Sequence, residues 1–465
     1  MMLFYLISAV VLAACAAMAR SRSGVRTAVS LFFAVQAFFA VWIVAGHVGQ
    51  TLSQFFTLDP LGVIFFVLMA VVSATAFFQS SRYLDAEKLH EHKVYKISLM
   101  LLCASAAAVY FANHVAVTWI FLEATTLCTA GLVYHRRNSR SLEATWKYIF
   151  VCSTGIAVAY LGILLLGTAA AGGEMSYAAL AASAAEGNPL YLKIAFLFIL
   201  VGYSCKMEIF PLYTIGVDAN FAAPTPAAAV ISTVLVNAGF VSVLRVYKVI
   251  AATPVAPWAG HVLLLAGALS VLVGAVYLRR TNNYKRLLAY STVENMGIAM
   301  IGLGLGGVGV FAALFHAVGH TLVKSGLYFS MAQVGKLYGS YRINRIGGYV
   351  RLNRIGAVTI LLGAVSLAAF PPSALFVSEL MIFGQMIADG SWWLLGCVVL
   401  MLCFVMYSLL QRILQLCFRE TPLPDRQPAL GPAITWTGFA LIASASLLGL
   451  LQPAWLTEFF NAAIR

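Results

Sequence analysis

The chain has 465 residues, of which 62% are hydrophobic and only 10% charged, and its mean hydropathy is +0.91. Soluble domains carry roughly a quarter charged residues, so a soluble globular fold is excluded, and repeated apolar runs of about 20 residues exclude a membrane β-barrel. The net charge of +13 reads as positive charge on the cytoplasmic connections of a multi-pass protein in the lipid bilayer, so no nucleic-acid partner is expected.

The first apolar run, Met2 to Ala19, has no basic residue before it and is followed by Arg20, Arg22 and Arg26. That is the reverse of a secretory leader, so it reads as a retained first helix with its N-terminus outside. Further runs lie near 28–49, 61–80, 95–112, 115–134, 148–170, 192–211, 225–250, 260–278, 286–305, 309–334, 356–387, 392–412 and 433–452. The expectation is therefore an all-α polytopic membrane protein of about 14 transmembrane helices. Most of the 29 lysines and arginines fall on odd-numbered connections. That bias places these connections in the cytoplasm, and both termini on the periplasmic side of a prokaryotic inner membrane. Arg245 and Lys248, which end the eighth run on the opposite side, are the exception. Asp59 opens the third run and reads as a helix cap. The eight cysteines form no CxxC pair, so no disulfide framework, metal site or cofactor is expected. GLGLGG at 302–307 closes a membrane helix and does not read as a nucleotide loop.

Two of the runs are broken. The seventh carries Lys206 within AFLFILVGYSCKM, breaks at Pro211 and passes Asp218 and Asn220; the chain restarts after Pro224 and Pro226. The twelfth breaks at Pro371 and Pro372. Both breaks fall in the fourth helix of a five-helix block, segments 4–8 and 9–13, and an odd number of helices gives the two blocks opposite topology. The expected organisation is helices 1–3 at 1–93, inverted repeats at 94–252 and 253–420, and a last helix at 421–465. Paired broken helices at matching places point to a transport site, because freed backbone groups at membrane depth need protein or water partners.

Six ionisable residues stand in apolar surroundings: Glu123, Lys206, His316, His320, Lys324 and Glu379. His316, His320 and Lys324 are spaced four and four, so they share one helix face. Each buried charge costs about 2.5–3.5 kcal/mol on insertion scales. A carboxylate beside a desolvated lysine switches it between charged and neutral, and histidine passes a proton between its two ring nitrogens. These residue types in series suit lateral proton transfer, with Ser204, Tyr213, Asp218, Asn237 and Glu294 as supporting polar groups. The bland alternative is that individual members are packing devices or carbonyl-bound histidines. Glu294, in YSTVENMG, reads as lying near a cytoplasmic helix start.

The motifs FLEATTL with Glu123, KMEIFPLYTIGVDANFAAPTP with Lys206, NYKRLLAYSTVENMG, FHAVGHTLVKSGLYF and FPPSALFVSELMIF with Glu379 together resemble the antiporter-like membrane subunits. That family is shared by respiratory complex I, multi-subunit cation/proton antiporters and group 4 membrane-bound hydrogenases, and the resemblance covers segments 4–13. Within the family it looks most like the branch of hydrogenase-4 component F, the formate hydrogenlyase type. The glutamate of the ENMG ending and Asn237, where complex I subunits typically have a second buried lysine, carry that comparison. The chain ends soon after segment 14, without the long lateral helix of the largest complex I subunit. One stretch departs: the family's His-Thr-Trp-Leu-Pro-Asp-Ala-His is here Tyr213 to Asn220, with both histidines, the Trp and the Pro replaced.

The resemblance implies a proton-translocating subunit without its own redox centre, working with other membrane subunits and a peripheral cytoplasmic hydrogenase-like or redox module. A sodium/proton antiporter subunit without redox chemistry and a membrane scaffold with lost pumping stay open as alternatives. The basic connections 335–355 and 412–432 are candidate docking faces for peripheral subunits, and equally ordinary positive-inside loops.

Overall fold

The computed structural model describes residues 1–84, 88–170, 173–421 and 432–464. In chain order the helices are α1 (Met2–Met18), α2 (Arg22–Val44), α3 (Pro60–Tyr83), α4 (Leu89–Phe111), α5 (Val115–Val133), α6 (Ser139–Ala169), the short α7 (Tyr177–Ser183), α8 (Pro189–Met207) and α9 (Thr214–Ala222). α10 (Thr225–Val230) and α11 (Val236–Ala251) follow, joined by one π-turn, Ile231–Leu235, into a continuous span. Then come α12 (Ala256–Arg280), α13 (Tyr284–Leu305), α14 (Val308–Tyr338), α15 (Tyr349–Leu352), α16 (Arg354–Leu367), α17 (Ala374–Ala388), α18 (Trp392–Phe418), α19 (Pro432–Leu450) and α20 (Ala454–Ile464). Among the described residues the paired strands are one small ribbon, Thr51–Ser53 against Phe56–Thr57.

Among the described residues eleven helical segments are long and apolar enough to cross a membrane. With α1, α13 and the interrupted α16–α17 pair they correspond one for one to the runs read from the sequence. Several ends differ, for local reasons. α2 starts at Arg22 because Ser21 Oγ accepts from the Gly24 amide at 3.1 Å. α6 starts at Ser139, well before its apolar run, because Asn138 and Ser141 form a reciprocal cap. The short helices α7, α9, α15 and α20 are too short to span a bilayer and are not among the runs expected from the sequence; α9 takes Thr214–Ala222, a stretch expected to be a loop, into a helix. Residues 422–431 of the candidate docking face at 412–432, and Arg465, lie outside the described residues.

The interruptions begin before their prolines. α8 ends at Met207, with Glu208 in the left-handed region at φ 58°, and Pro211 lies inside the connection to α9. α16 ends at Leu367, Ala369 has φ 51°, and Pro371 and Pro372 lie in the connection to α17. Ser373 caps α17 by accepting from the Phe376 amide at 3.2 Å. The residue before a proline is pushed away from helical angles, so the chain must leave the helix upstream of it.

The centre of the bundle is the span Thr225–Ala251, whose apolar window is 100% buried, with α13 and α14 beside it. A π-turn frees backbone groups. Here Tyr110 of α4 donates to the Val234 carbonyl at 2.6 Å and Thr233 donates to the Ala229 carbonyl at 2.6 Å. α1, α2 and α18 expose large apolar side chains such as Phe4, Phe38 and Trp393, which suits contact with lipid chains.

Small residues let α6 and α8 touch backbone to backbone. A Cβ on Gly202 would stand 2.3 Å from the Gly155 carbonyl oxygen. Gly202→Leu is therefore expected to destabilise the protein by about 1–3 kcal/mol, as overpacking does elsewhere. A lowered unfolding midpoint of the detergent-solubilised protein checks this.

Arg245, the exception in the charge pattern, is a buried tie. Its guanidinium donates to the carbonyls of Val109, Ala112 and Tyr110 at 2.9, 2.8 and 2.5 Å, and to Asp59 Oδ1 at 2.7 Å. Asp59 accepts from the Gly62 amide at 3.3 Å as a cap of α3, and also holds this ion pair. Lys285, counted as a loop charge in the sequence reading, is 1% exposed. It donates to the carbonyls of Phe221, at 2.8 Å, and Ala223, closing the C-terminal end of α9.

Candidate functional site

The site is built from residues that would be costly to bury without purpose. Lys206 lies in the last turn of α8 and is 0% exposed. Its Nζ donates to Thr126 Oγ1 of α5 at 2.6 Å, and the ammonium sits 5.3 Å from the centre of the Tyr148 ring. Thr126 in turn donates to Glu123 Oε2 at 3.2 Å, one helical turn back along α5. Ser153 of α6 donates to the other oxygen, Glu123 Oε1, at 2.6 Å. Glu123 and Lys206 are thus joined through a hydroxyl rather than by direct contact. A hydroxyl that accepts from an ammonium and donates to a carboxylate can exchange a proton along that line.

The second group lies on α14. Lys324 Nζ donates to the Leu288 carbonyl at 2.6 Å and to Ser291 Oγ, both on α13. Glu294 is one turn further along α13, 1% exposed, and its Oε2 accepts from Asn295 Nδ2 at 2.5 Å. Glu294 is a mid-helix residue and does not mark a helix start. His320 is fully buried, and neither ring nitrogen has a hydrogen-bond partner among the described residues. His316 Nδ1 is hydrogen-bonded to Ser378 Oγ of α17 at 2.9 Å, while its Nε2 is buried without a hydrogen-bond partner among the described residues. Ser378 adjoins Glu379, which is buried on α17 at 7% exposure.

Asn237 sits between the groups. Just beyond the π-turn, its Nδ2 donates to Thr321 Oγ1 at 2.8 Å, between His320 and Lys324 on α14. Its Oδ1 is buried without a protein partner.

The other supporting residues are placed less centrally. Ser204 is buried but donates to the Val201 carbonyl of its own helix at 2.6 Å. Tyr213 is partly exposed in the connection after α8. Asp218 pairs with Arg286 at 2.8 Å and lines an open polar cavity of about 320 Å³ with Arg140, Glu143 and Lys147. It belongs to that surface cavity and makes no contact with the lysines of the interior.

Sequence reasoning passed over the hydroxyl relays Thr126, Ser153, Ser291, Thr321 and Ser378, which carry no signal in a single sequence. It also passed over Glu208, buried at 2% exposure two residues beyond Lys206. A second ionisable residue beside Lys206 was the available signal, masked by its place next to a proline break. Among the described residues no cluster of three or more histidine, cysteine, aspartate or glutamate side chains is arranged to hold a metal ion.

Comparison with known proteins places the family and the fold. Residues 112–405 match the family model described as "NADH:quinone oxidoreductase/Mrp antiporter, TM". The chain is 30% identical over 421 residues to "Hydrogenase-4 component F homolog" of Methylacidiphilum infernorum, covering 88% of each protein. It is 29% identical over 386 residues to NADH-quinone oxidoreductase subunit N of Ectopseudomonas mendocina, covering 79% of this chain and 76% of that one. In fold it is similar to a chain of an archaeal membrane-bound sulfane sulfur reductase, at TM-score 0.87 and 22% identity, over 99% of this chain and 94% of that one. A chain of the Mrp complex from a Dietzia species gives TM-score 0.85 at 19% identity, over 99% and 95% of the two chains. The chain belongs to the NADH:quinone oxidoreductase/Mrp antiporter family and is an antiporter-like, multi-pass membrane subunit of the kind found in complex I, group 4 hydrogenase and Mrp-type complexes.

Proposed function

We propose that this chain translocates protons as a membrane subunit of a hydrogenase-type or complex I-like redox complex, in a prokaryotic inner membrane with both termini on the periplasmic side. Protons pass along Glu123, Lys206, Lys324, His320, His316 and Glu379. The observation that carries this reading is the junction of Lys206 to Glu123 through Thr126, fully buried at Thr126 and Lys206, which couples a cation to a carboxylate by exchangeable hydrogen bonds. The series on α14, reaching Glu379 beside Ser378, supplies the continuation. The hydrogenase branch is favoured by the similarity to a hydrogenase-4 component F homolog over 88% of both proteins, and by Asn237 and Glu294. The partners are the other membrane subunits and a peripheral module holding the redox chemistry, which sets the charge state of the first buried groups.

The test uses the whole complex reconstituted in liposomes with a pH-sensitive dye inside, and a potassium diffusion potential set by valinomycin. Lys324→Met and Glu379→Gln, in complexes that assemble normally, are each expected to cut potential-driven proton uptake by at least about a hundred-fold, the lower reach of a lost acid–base group. Uptake is expected to be the same with sodium or choline outside. Full uptake in both variants overturns the pathway, and uptake that requires sodium overturns proton transport in favour of antiport.

A further inference from the structure

Glu208 is absent from the pathway just described, yet it has the features of a working group. It is 2% exposed, at the point where α8 ends. Its φ of 58° is one that a side chain other than glycine adopts only at a cost. Its carboxyl has a made seat. Asn220 of α9 donates from Nδ2 to Glu208 Oε1 at 2.8 Å. Gly216, also on α9, leaves the room: a Cβ there would stand 2.3 Å from the Glu208 carboxyl carbon. The other oxygen, Oε2, is buried and meets no protein partner.

That combination is informative. A buried carboxylate held by a single neutral amide is poorly compensated, because charged groups taken out of water require pairing. A carboxylic acid fits the same seat well: Oε1 accepts from Asn220 while Oε2 carries the proton. The titratable neighbours come from two further helices. Lys324 and Tyr328 of α14 and Tyr148 and Cys152 of α6 interact electrostatically with Glu208. Of these Lys324 is the positive one, and Glu208 and Glu294 are the two carboxyls that act on it. Glu208 therefore stands two residues beyond Lys206 in the chain and within electrostatic range of Lys324.

We propose that Glu208 is a proton-carrying station between Lys206 and Lys324, seated by Asn220 and Gly216, in the part of the chain where the family's two histidines are replaced. The inference rests on the proton-translocation reading above. In the forward step an N–H bond of the Lys206 ammonium breaks and, across intervening water, an O–H bond forms at Glu208 Oε2, leaving a neutral amine and a neutral acid. In the next step that O–H bond breaks and the proton joins the Lys324 amine. The result is a carboxylate near an ammonium, the pairing that makes the buried anion tolerable.

Glu208→Gln tests this, because glutamine keeps the shape and an oxygen to accept from Asn220 but cannot carry the proton. In the liposome assay above the variant complex is expected to show proton uptake lower by at least about a hundred-fold. It is also expected to lose one protonated-carboxyl C=O band in infrared difference spectra taken between acid and alkaline pH. Gly216→Ala keeps the carboxyl but removes its seat; a comparable loss of uptake and a displaced band are expected, which covers the case where the glutamine variant does not assemble. Lys206→Met is run alongside. Normal uptake in Glu208→Gln with uptake lost in Lys206→Met overturns the Glu208 station and leaves the pathway standing. Normal uptake in both overturns the station and the pathway together.

Discussion

Replacing Lys206 by methionine is expected to stop proton uptake, by about a hundred-fold or more, while leaving the complex assembled and no less stable. Methionine preserves most of the apolar stem, so packing against the neighbouring side chains changes little. What disappears is one cation, its bond to Thr126 Oγ1 and its place over the Tyr148 ring. A cation at membrane depth costs about 2.5–3.5 kcal/mol to place, and a single 2.6 Å hydrogen bond to a hydroxyl returns only part of that. Removing the charge should therefore leave the unfolding midpoint unchanged or raise it. A structural role predicts the opposite sign, since a lysine kept for packing or pairing would take stability with it. Two readouts on one variant thus separate the readings: lost transport with retained or increased stability marks a functional cation, and retained transport with lost stability marks a tie. Thr126→Val refines the result. It leaves both Lys206 and Glu123 in place but cuts the hydroxyl between them, so uptake should fall by about ten-fold, less than for the lysine itself.

Much of this arrangement was legible in the sequence, and the residues show where legibility stops. Lys206, Lys324 and the two histidines stood out because a charge inside twenty apolar residues has one bland explanation fewer than a charge anywhere else. The four-residue spacing of His316, His320 and Lys324 placed them on one face, and α14 runs unbroken from Val308 to Tyr338 with all three buried. The breaks were legible from their prolines, although the helices end several residues earlier, at Met207 and Leu367. What failed was long-range pairing. Glu123 and Lys206 are legible as separate buried charges; that a threonine stands between them depends on how α6 packs against both α5 and α8. Lys285 was counted as a loop charge because it follows Arg279 and Arg280, yet the fold buries it on the end of α9. Glu208 has no comparable signal: it lies at the end of the apolar run, beside the proline break. The π-turn ahead of Asn237 has no composition signature, since its freed carbonyl is met by Tyr110, 124 residues earlier.

Arg245 gives the largest stability effect expected of a single change. Arg245→Ala should destabilise the protein by about 3–5 kcal/mol, the range for removing one partner of a buried ion pair. Three reasons converge. The carbonyls of Val109, Tyr110 and Ala112 lie at the C-terminal end of α4, where the helix offers few donors (Val109 accepts only a long 3.3 Å bond from the Ala112 amide), and the guanidinium reaches all three. The same carbonyls form the negative end of the α4 dipole, which favours a cation. The fourth bond, to Asp59 at 2.7 Å, ties the start of α3 to α11, so the loss also leaves a partly buried carboxylate without its cation. Arg245→Lys should recover only part of the stability, because one ammonium cannot present the planar fork that reaches Asp59 and three carbonyls together. The measurement is the unfolding midpoint in detergent, read beside proton uptake per assembled complex. A lowered midpoint with uptake per complex near normal is the expected pattern, because Arg245 is bonded to α3 and α4 and to none of the lysines or histidines of the pathway. An unchanged midpoint would mean that water replaces the guanidinium at the end of α4, and the tie between these helices would then be of little consequence.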